Sequence, residues 1–142
     1  MARILGIDYG EKRIGVAISD ATSTIATPLE TLDGTAPQQA AQHIVRLVEE
    51  RGVERIVVGL PVRMDGSSGP SAEHAKAFGE RLMKTGSCPV VYWDERFSSR
   101  TAEQALIEGG ARRQKRKQVI DKLAAQIILQ HYLDAHMADP YP

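Results

Sequence analysis

Three β-rich runs precede the first helical pattern in this chain, and that order narrows its fold more than any other feature. Arg3 to Tyr9 is apolar up to Asp8, Ile14 to Ser19 is a second such run, and Ile25 to Leu32 is a third. Glu11-Lys12-Arg13 reads as a turn, which makes the first two runs a hairpin. Pro28 cannot donate to a strand ladder, so the third run is expected at a sheet edge. Strands and helices then alternate. Pro37 opens a helix to about Arg51, with Ala40, Ile44, Leu47 and Val48 on one face, and Gly52 stops it. Glu54 to Leu60 is a β-branched central strand, and residues 62–70 are a loop. Ser71 is expected to cap a helix to about Lys84, with Ala75, Phe78 and Leu82 inward, and Pro89 to Trp93 is a fifth strand. Ser98 or Ser99 caps a short helix ending at Gly109-Gly110, and Gln118 to Met137 is the longest helix. The order βββαβαβαα predicts an α/β fold: an antiparallel meander followed by parallel strands, flanked by helices.

A chain of 142 residues, 42% of them hydrophobic, suits one compact domain over residues 1–142, and no repeat or linker divides it. Its one cysteine, Cys88, excludes an intramolecular disulfide and suits a reducing cytosol; beside Pro89 it reads as a small apolar filler. The run Ile4 to Ile7 is too short for a signal-peptide core, and Ile56 to Val62 falls far below a membrane span of about 20 residues. A cytoplasmic protein with no membrane partner is expected.

The formal net charge is zero, so overall charge does not announce a nucleic-acid binder. Its distribution says more. Five of the 18 Lys and Arg lie within residues 112–117, which leaves the rest of the chain at a formal −5. Arg112, Arg113, Lys115, Arg116 and Lys117 are therefore the first candidates for phosphate contacts, against the plainer reading of a solvated loop.

Three acids stand where an acid is unexpected. Asp8 follows Ile4-Leu5-Gly6-Ile7, where a buried strand should continue; a buried carboxylate there is costly unless paired or metal-bound. The plainer alternative is a strand-end Asp that starts a turn. Asp121 lies on the helical face of Ala124, Ala125, Ile128, Leu129 and Tyr132, away from the stripe Lys122, Gln126 and Gln130. Its alternative is a first-turn Asp that complements the helix dipole. Asp94 and Glu95 end the fifth strand and alternate in direction, so only one can face Asp8; parity alone leaves that choice open. Separated carboxylates at strand and helix ends are what hard divalent cations take, and a pair of such ions can cleave a phosphodiester. His43, His74, His131 and His136 have no zinc-ligand spacing with Cys88. Gly6-Ile7-Asp8-Tyr9-Gly10 is not a dinucleotide fingerprint, and no Walker lysine motif is present.

The stretch Gly6 to Asp20, reading GIDYGEKRIGVAISD, closely resembles the opening of the YqgF family, also called RuvX. Val58-Gly-Leu-Pro61 with Met64-Asp-Gly-Ser67, then Asp94 to Ser99, then Asp121 to Leu129 match further family motifs in order. The resemblance implies a ribonuclease H-like fold, related to RuvC Holliday-junction resolvases. It implies a nuclease trimming the 5′ end of precursor 16S ribosomal RNA, using Mg²⁺ or Mn²⁺, two ions in all. It assigns Asp8, Glu95 and Asp121 as the catalytic and metal-binding acids, and so decides between Asp94 and Glu95 by analogy. Lys12, Arg13, Arg63 and Arg96 join the basic segment as expected nucleic-acid contacts. Arg63 departs from the family, which usually has Asn there.

Other functions compete. A branched-DNA resolvase would use the same acids. A sugar-kinase or actin-like ATPase shares the fold, but needs two lobes where this length supplies one. A non-catalytic nucleic-acid-binding factor would need only the basic segment, leaving three placed acids unexplained. The substrate is expected to be RNA, and the protein a monomer or homodimer.

Overall fold

The computed structural model describes residues 3–60, 70–94 and 113–137. Five strands form one mixed sheet: β1 (Arg3–Asp8), β2 (Arg13–Ser19), β3 (Ala26–Asp33), β4 (Val53–Leu60) and β5 (Val90–Asp94), in the order β3-β2-β1-β4-β5. β1 pairs antiparallel with β2, and β2 with β3; β1 pairs parallel with β4, and β4 with β5. β3 is an edge strand, as Pro28 requires, and the ladder shifts register between Val16 and Ala17 just where Pro28 is accommodated.

Two helices, α1 (Pro37–Arg51) and α2 (Pro70–Thr85), cover one face of the sheet. Leu5, Ile7, Ile14, Val16, Ile56 and Val58 point into that layer and meet Ala41, Ile44, Phe78 and Leu82. α1 ends at Gly52, whose φ of 66° is left-handed and whose N–H donates to the Val48 carbonyl. α2 begins at Pro70, so Ser71 lies inside the helix instead of capping it; proline's fixed φ suits the first helical turn.

The opposite face carries α3 (Arg113–Met137). Ile4, Ala17, Ala26 and Val57 pack there against Ala125, Ile128, Leu129, Tyr132 and Leu133. β1 and β4 are thus buried on both sides, which accounts for their near-continuous apolar runs. Two findings correct the expectation for this helix. It starts at Arg113, not Gln118, so most of the basic segment is helical; Arg, Lys and Gln are good helix formers, and no Gly or Pro interrupts them. Its polar stripe is also not all solvent-facing. Gln130 accepts from the Ala26 N–H at 2.8 Å and donates to the Thr24 carbonyl at 3.0 Å, while Gln126 donates to the Ala26 carbonyl at 3.0 Å. These amides tie α3 to the start of the edge strand. The expected short helix after Ser98 lies outside the described residues. Among the described residues no helix is long and apolar enough to cross a membrane.

Candidate active site

Asp8 is the last residue of β1 and is half-buried. Strand alternation fixes its direction. Leu5 and Ile7 point toward α1 and α2, whereas Ile4 and Gly6 face α3; Asp8 follows Gly6 on the α3 side. Its cross-strand partner is Gly15, on the same face, and Arg13 is the next residue of β2 on that face. On the other flank β4 runs parallel, with Ile7 opposite Val58, so Gly59 follows at the level of Asp8 and shares the face of Val57. The carboxylate therefore emerges between two strand neighbours that carry no side chain, at the carboxyl end of the parallel strands, where open α/β sheets place their ligands.

α3 packs tightly on β1 beside this position. A methyl on Gly6 would lie 2.7 Å from Leu129 Cβ and 3.1 Å from the Ala125 carbonyl oxygen, so only glycine admits the helix at this depth. Farther from Asp8, Arg55, which pairs with Ile4, donates from Nη1 to the Tyr132 hydroxyl at 2.6 Å. The helix thus runs antiparallel to β1, and its earlier turns lie toward the Asp8 end. Residues 121, 125 and 129 form one row along a helix. Four residues of helix advance about 6 Å, and two residues of strand advance about 7 Å. The step from Ala125 to Asp121 therefore matches the step from Gly6 to Asp8. Asp121 stands in the third turn of α3, not the first, so complementing the helix dipole does not account for it.

Of the other expected site residues, Glu95, Arg63, Arg96 and Arg112 lie outside the described residues. Asp94 closes β5, whose Val91 and Trp93 pack on the α3 side and whose Val90 and Tyr92 pack on the other. Lys12 is exposed in the β1–β2 turn, and Arg13 is half-buried at the start of β2. Arg113, Lys115, Arg116 and Lys117 occupy the first two turns of α3. Among the described residues no three His, Cys, Asp or Glu side chains come together as a metal site would need. The Asp8 carboxylate is a hard oxygen ligand of the kind Mg²⁺ and Mn²⁺ prefer. His43 contacts Glu30 between α1 and β3, and His74 Nδ1 lies 2.8 Å from Glu11 Oε1.

The turn after Asp8 is braced from three sides. The Gly34 N–H donates to the Lys12 carbonyl at 2.9 Å, Tyr9 packs on Phe78 with ring centroids 4.9 Å apart, and Glu11 reaches His74 on α2. Nothing in the spacing of the sequence points to these braces, because each joins residues far apart in the chain. Elsewhere, the Thr22 hydroxyl and the Thr24 and Ile25 N–H groups hold the Asp20 carboxyl below its usual range. The Thr35 hydroxyl and N–H do the same for Asp33, and burial pushes the Cys88 thiol up.

A family model, RuvX, described as Holliday junction resolvase, matches residues 2–135. The chain belongs to the RuvX family. A RuvX relative from Chloroflexus aurantiacus, named "Putative pre-16S rRNA nuclease", is 53% identical over 137 residues, covering 96% of this chain and 90% of its own. A relative of the same name from Caldanaerobacter subterraneus subsp. tengcongensis is 51% identical over 134 residues, covering 94% and 96%. Among solved structures, T. thermophilus RuvC in complex with a Holliday junction substrate superposes with a TM-score of 0.59 at 16% identity over 96% of each chain. The fowlpox virus resolvase with Holliday junction DNA gives 0.55 at 12% identity over 94% and 97%. The fold of this RuvX chain is therefore the ribonuclease H-like, RuvC-type mixed sheet that its motifs implied.

Proposed function

We propose that this chain is a metal-dependent nuclease of a single domain, acting in the cytoplasm on precursor 16S ribosomal RNA, with Asp8, Glu95 and Asp121 as its acids. The names of its relatives support the reaction and the substrate. The observation that carries the site is the packing of Gly6 against Ala125 and Leu129, because the same row leads to Asp121 as β1 leads to Asp8. Glu95 lies outside the described residues, and the family motif is what favours it over Asp94 as the partner of Asp8. When bound, two Mg²⁺ or Mn²⁺ ions would activate the attacking water and stabilise the leaving oxygen. The chain's own part is to fix the carboxylates on a strand and a helix packed against each other. Arg13 on the same face, Lys12, Arg63, Arg96, Arg112 and the basic turns of α3 would hold the phosphate backbone.

The decisive experiment is Asp8→Asn. It should cut Mg²⁺-dependent cleavage of an RNA spanning the precursor 5′ end by more than about 100-fold in a protein that still melts cooperatively. Full activity in that variant would sink the site. The RuvC-like fold and the description of the family model favour a second reading, resolution of branched DNA. A panel of precursor RNA, Holliday junction and linear duplex, each with Mg²⁺, decides between them by which is cut at limiting enzyme.

A further inference from the structure

We propose that Gly34 is a positioning residue for substrate binding: it fixes the turn between Asp8 and Arg13, so that Lys12 meets the phosphate backbone from a set place; this rests on the nuclease reading above. Four residues, Tyr9 to Lys12, join β1 to β2, and each is held by something beyond its chain neighbours. The Tyr9 ring packs on Phe78, a buried residue of α2, with centroids 4.9 Å apart. Gly10 folds back so closely that a methyl on it would lie 2.5 Å from the Arg13 carbonyl oxygen. The Glu11 carboxylate meets His74 Nδ1 at 2.8 Å. The Lys12 carbonyl accepts the Gly34 N–H at 2.9 Å, while its side chain stays exposed.

Gly34 is buried between two exposed neighbours, Asp33 and Thr35. A Cβ on it would collide with the Gly10 carbonyl oxygen and stand 2.9 Å from the Glu11 carbonyl carbon. The loop after β3 therefore lies against the turn only because residue 34 is glycine. Both colliding groups are backbone, so no side chain can swing aside. The loop is itself stiff, since Asp33 Oδ1 accepts the Thr35 N–H at 2.9 Å and the Thr35 hydroxyl at 2.6 Å. The tie from Glu11 to His74 is exposed at both ends and weak by comparison. A turn that only reversed the chain would need no such buttress. A cation carried on a fixed turn loses less freedom on gripping a phosphate than one on a loose loop. Asp8 itself is held in the ladder with Gly15, apart from the turn. Gly34 thus bears on binding more than on the chemical step.

The test compares Gly34→Ala with Gly52→Ala, using Mg²⁺ and whichever substrate the parent cuts, the precursor RNA or a Holliday junction. Gly52 is left-handed, and an added Cβ there meets no atom within 4 Å. Alanine at that position strains the backbone and costs stability without touching the turn. Gly34→Ala should raise KM roughly 3- to 10-fold, the cost of ordering a freed side chain on binding. Its kcat should stay within about twofold of the parent's. Gly52→Ala should change neither. In a Lys12→Gln background the effect of Gly34→Ala on KM should largely vanish, because the two act through one contact. A KM no higher than that of Gly52→Ala, a loss confined to kcat, or a full effect without Lys12 overturns the inference. If Gly34→Ala does not fold, amide order parameters of Gly10 to Lys12 in the parent decide. Values of about 0.85, as in a rigid strand, uphold the fixed turn, and values below about 0.6 overturn it. A parent that cuts neither substrate overturns the nuclease reading and this inference with it. An unchanged KM in Gly34→Ala, with an active parent, overturns the inference alone.

Discussion

At the scale of single residues, Gly6 sets how closely α3 packs on β1. A Cβ there would fall 2.7 Å from Leu129, closer than real side-chain carbons approach, and the neighbour is the stem of a buried residue. Gly6→Ala should therefore lift α3 from β1, destabilise the protein by about 1–3 kcal/mol, and lower cleavage further than the stability loss explains, because it shifts the row that ends at Asp121. Denaturant melts and cleavage rates on the same preparation check both. Asp8 is legible in the sequence because an acid after four strand residues breaks an apolar run. The choice between Asp94 and Glu95 is not, since alternation says that two residues oppose each other but not which face is which. Val91 and Trp93 face the α3 layer, but Glu95 lies outside the described residues, so the choice rests on the resemblance to the family motif. On the proposed assignment Glu95→Gln should cost at least about tenfold more activity than Asp94→Asn; the reverse ranking would move the site to the other acid. Asp20 offers a test by pH. Its carboxyl is held low chiefly by the Thr22 hydroxyl, then by the Thr24 and Ile25 N–H groups, so the folded state favours the ionised form. That stability is present above the ordinary carboxylate range and is lost as pH falls through it toward the depressed folded value. Asp20→Asn should thus be less stable than the parent at pH 7, and the gap should close on acidification.

At the scale of elements, α3 shows where helical periodicity informs and where it misleads. The apolar face Ala124, Ala125, Ile128, Leu129 and Tyr132 is buried as its spacing predicts. The start of the helix is hidden in the sequence because a dense run of cations reads as a loop, although each residue in it favours a helix. The bonding roles of Gln126 and Gln130 are hidden for a related reason: a polar stripe looks solvated until the edge strand it bonds to is known. The basic turns carry a conflict that makes a two-sided prediction. Cations in the first turns oppose the helix dipole and repel one another at three- and four-residue spacing, each effect worth a few tenths of a kcal/mol. Replacing Arg113, Lys115, Arg116 and Lys117 by Gln should therefore slightly raise the melting temperature. If these residues grip phosphates, the same variant should bind RNA more weakly. The slope of log K against log salt should then fall by about 0.7–0.9 for each phosphate no longer gripped, with cleavage at saturating substrate preserved. Unchanged affinity and salt slope would return the segment to a purely helical role.

At the scale of the whole molecule, the sheet is a partition whose two faces are closed by different parts of the chain. The order of strands is readable from three β-rich runs followed by alternation, and so is Pro28's place at an edge. Which helices take which face is not, because buried strands with apolar residues on both sides give no preferred direction. In the structure α1 and α2 share one face, and α3 packs on the other against Ile4, Ala17, Ala26 and Val57. This division makes the last helix integral to the fold as well as to the proposed acid site. Ile128, Leu129, Tyr132 and Leu133 are each at most 4% exposed. At about 1.5–3 kcal/mol for each buried side chain, their contribution rivals the roughly 5–15 kcal/mol that holds a typical domain together. Removing α3 would also uncover the apolar residues it meets and leave the Ala26 N–H without its Gln130 acceptor. A chain ending before Arg113 should therefore not survive as a folded sheet with a missing site. It should show no cooperative thermal transition and no slowly exchanging amides in β1 or β4. A cooperative melt with protected β1 and β4 amides in that truncation would mean that α1 and α2 suffice for the fold, and that α3 is an attachment to it.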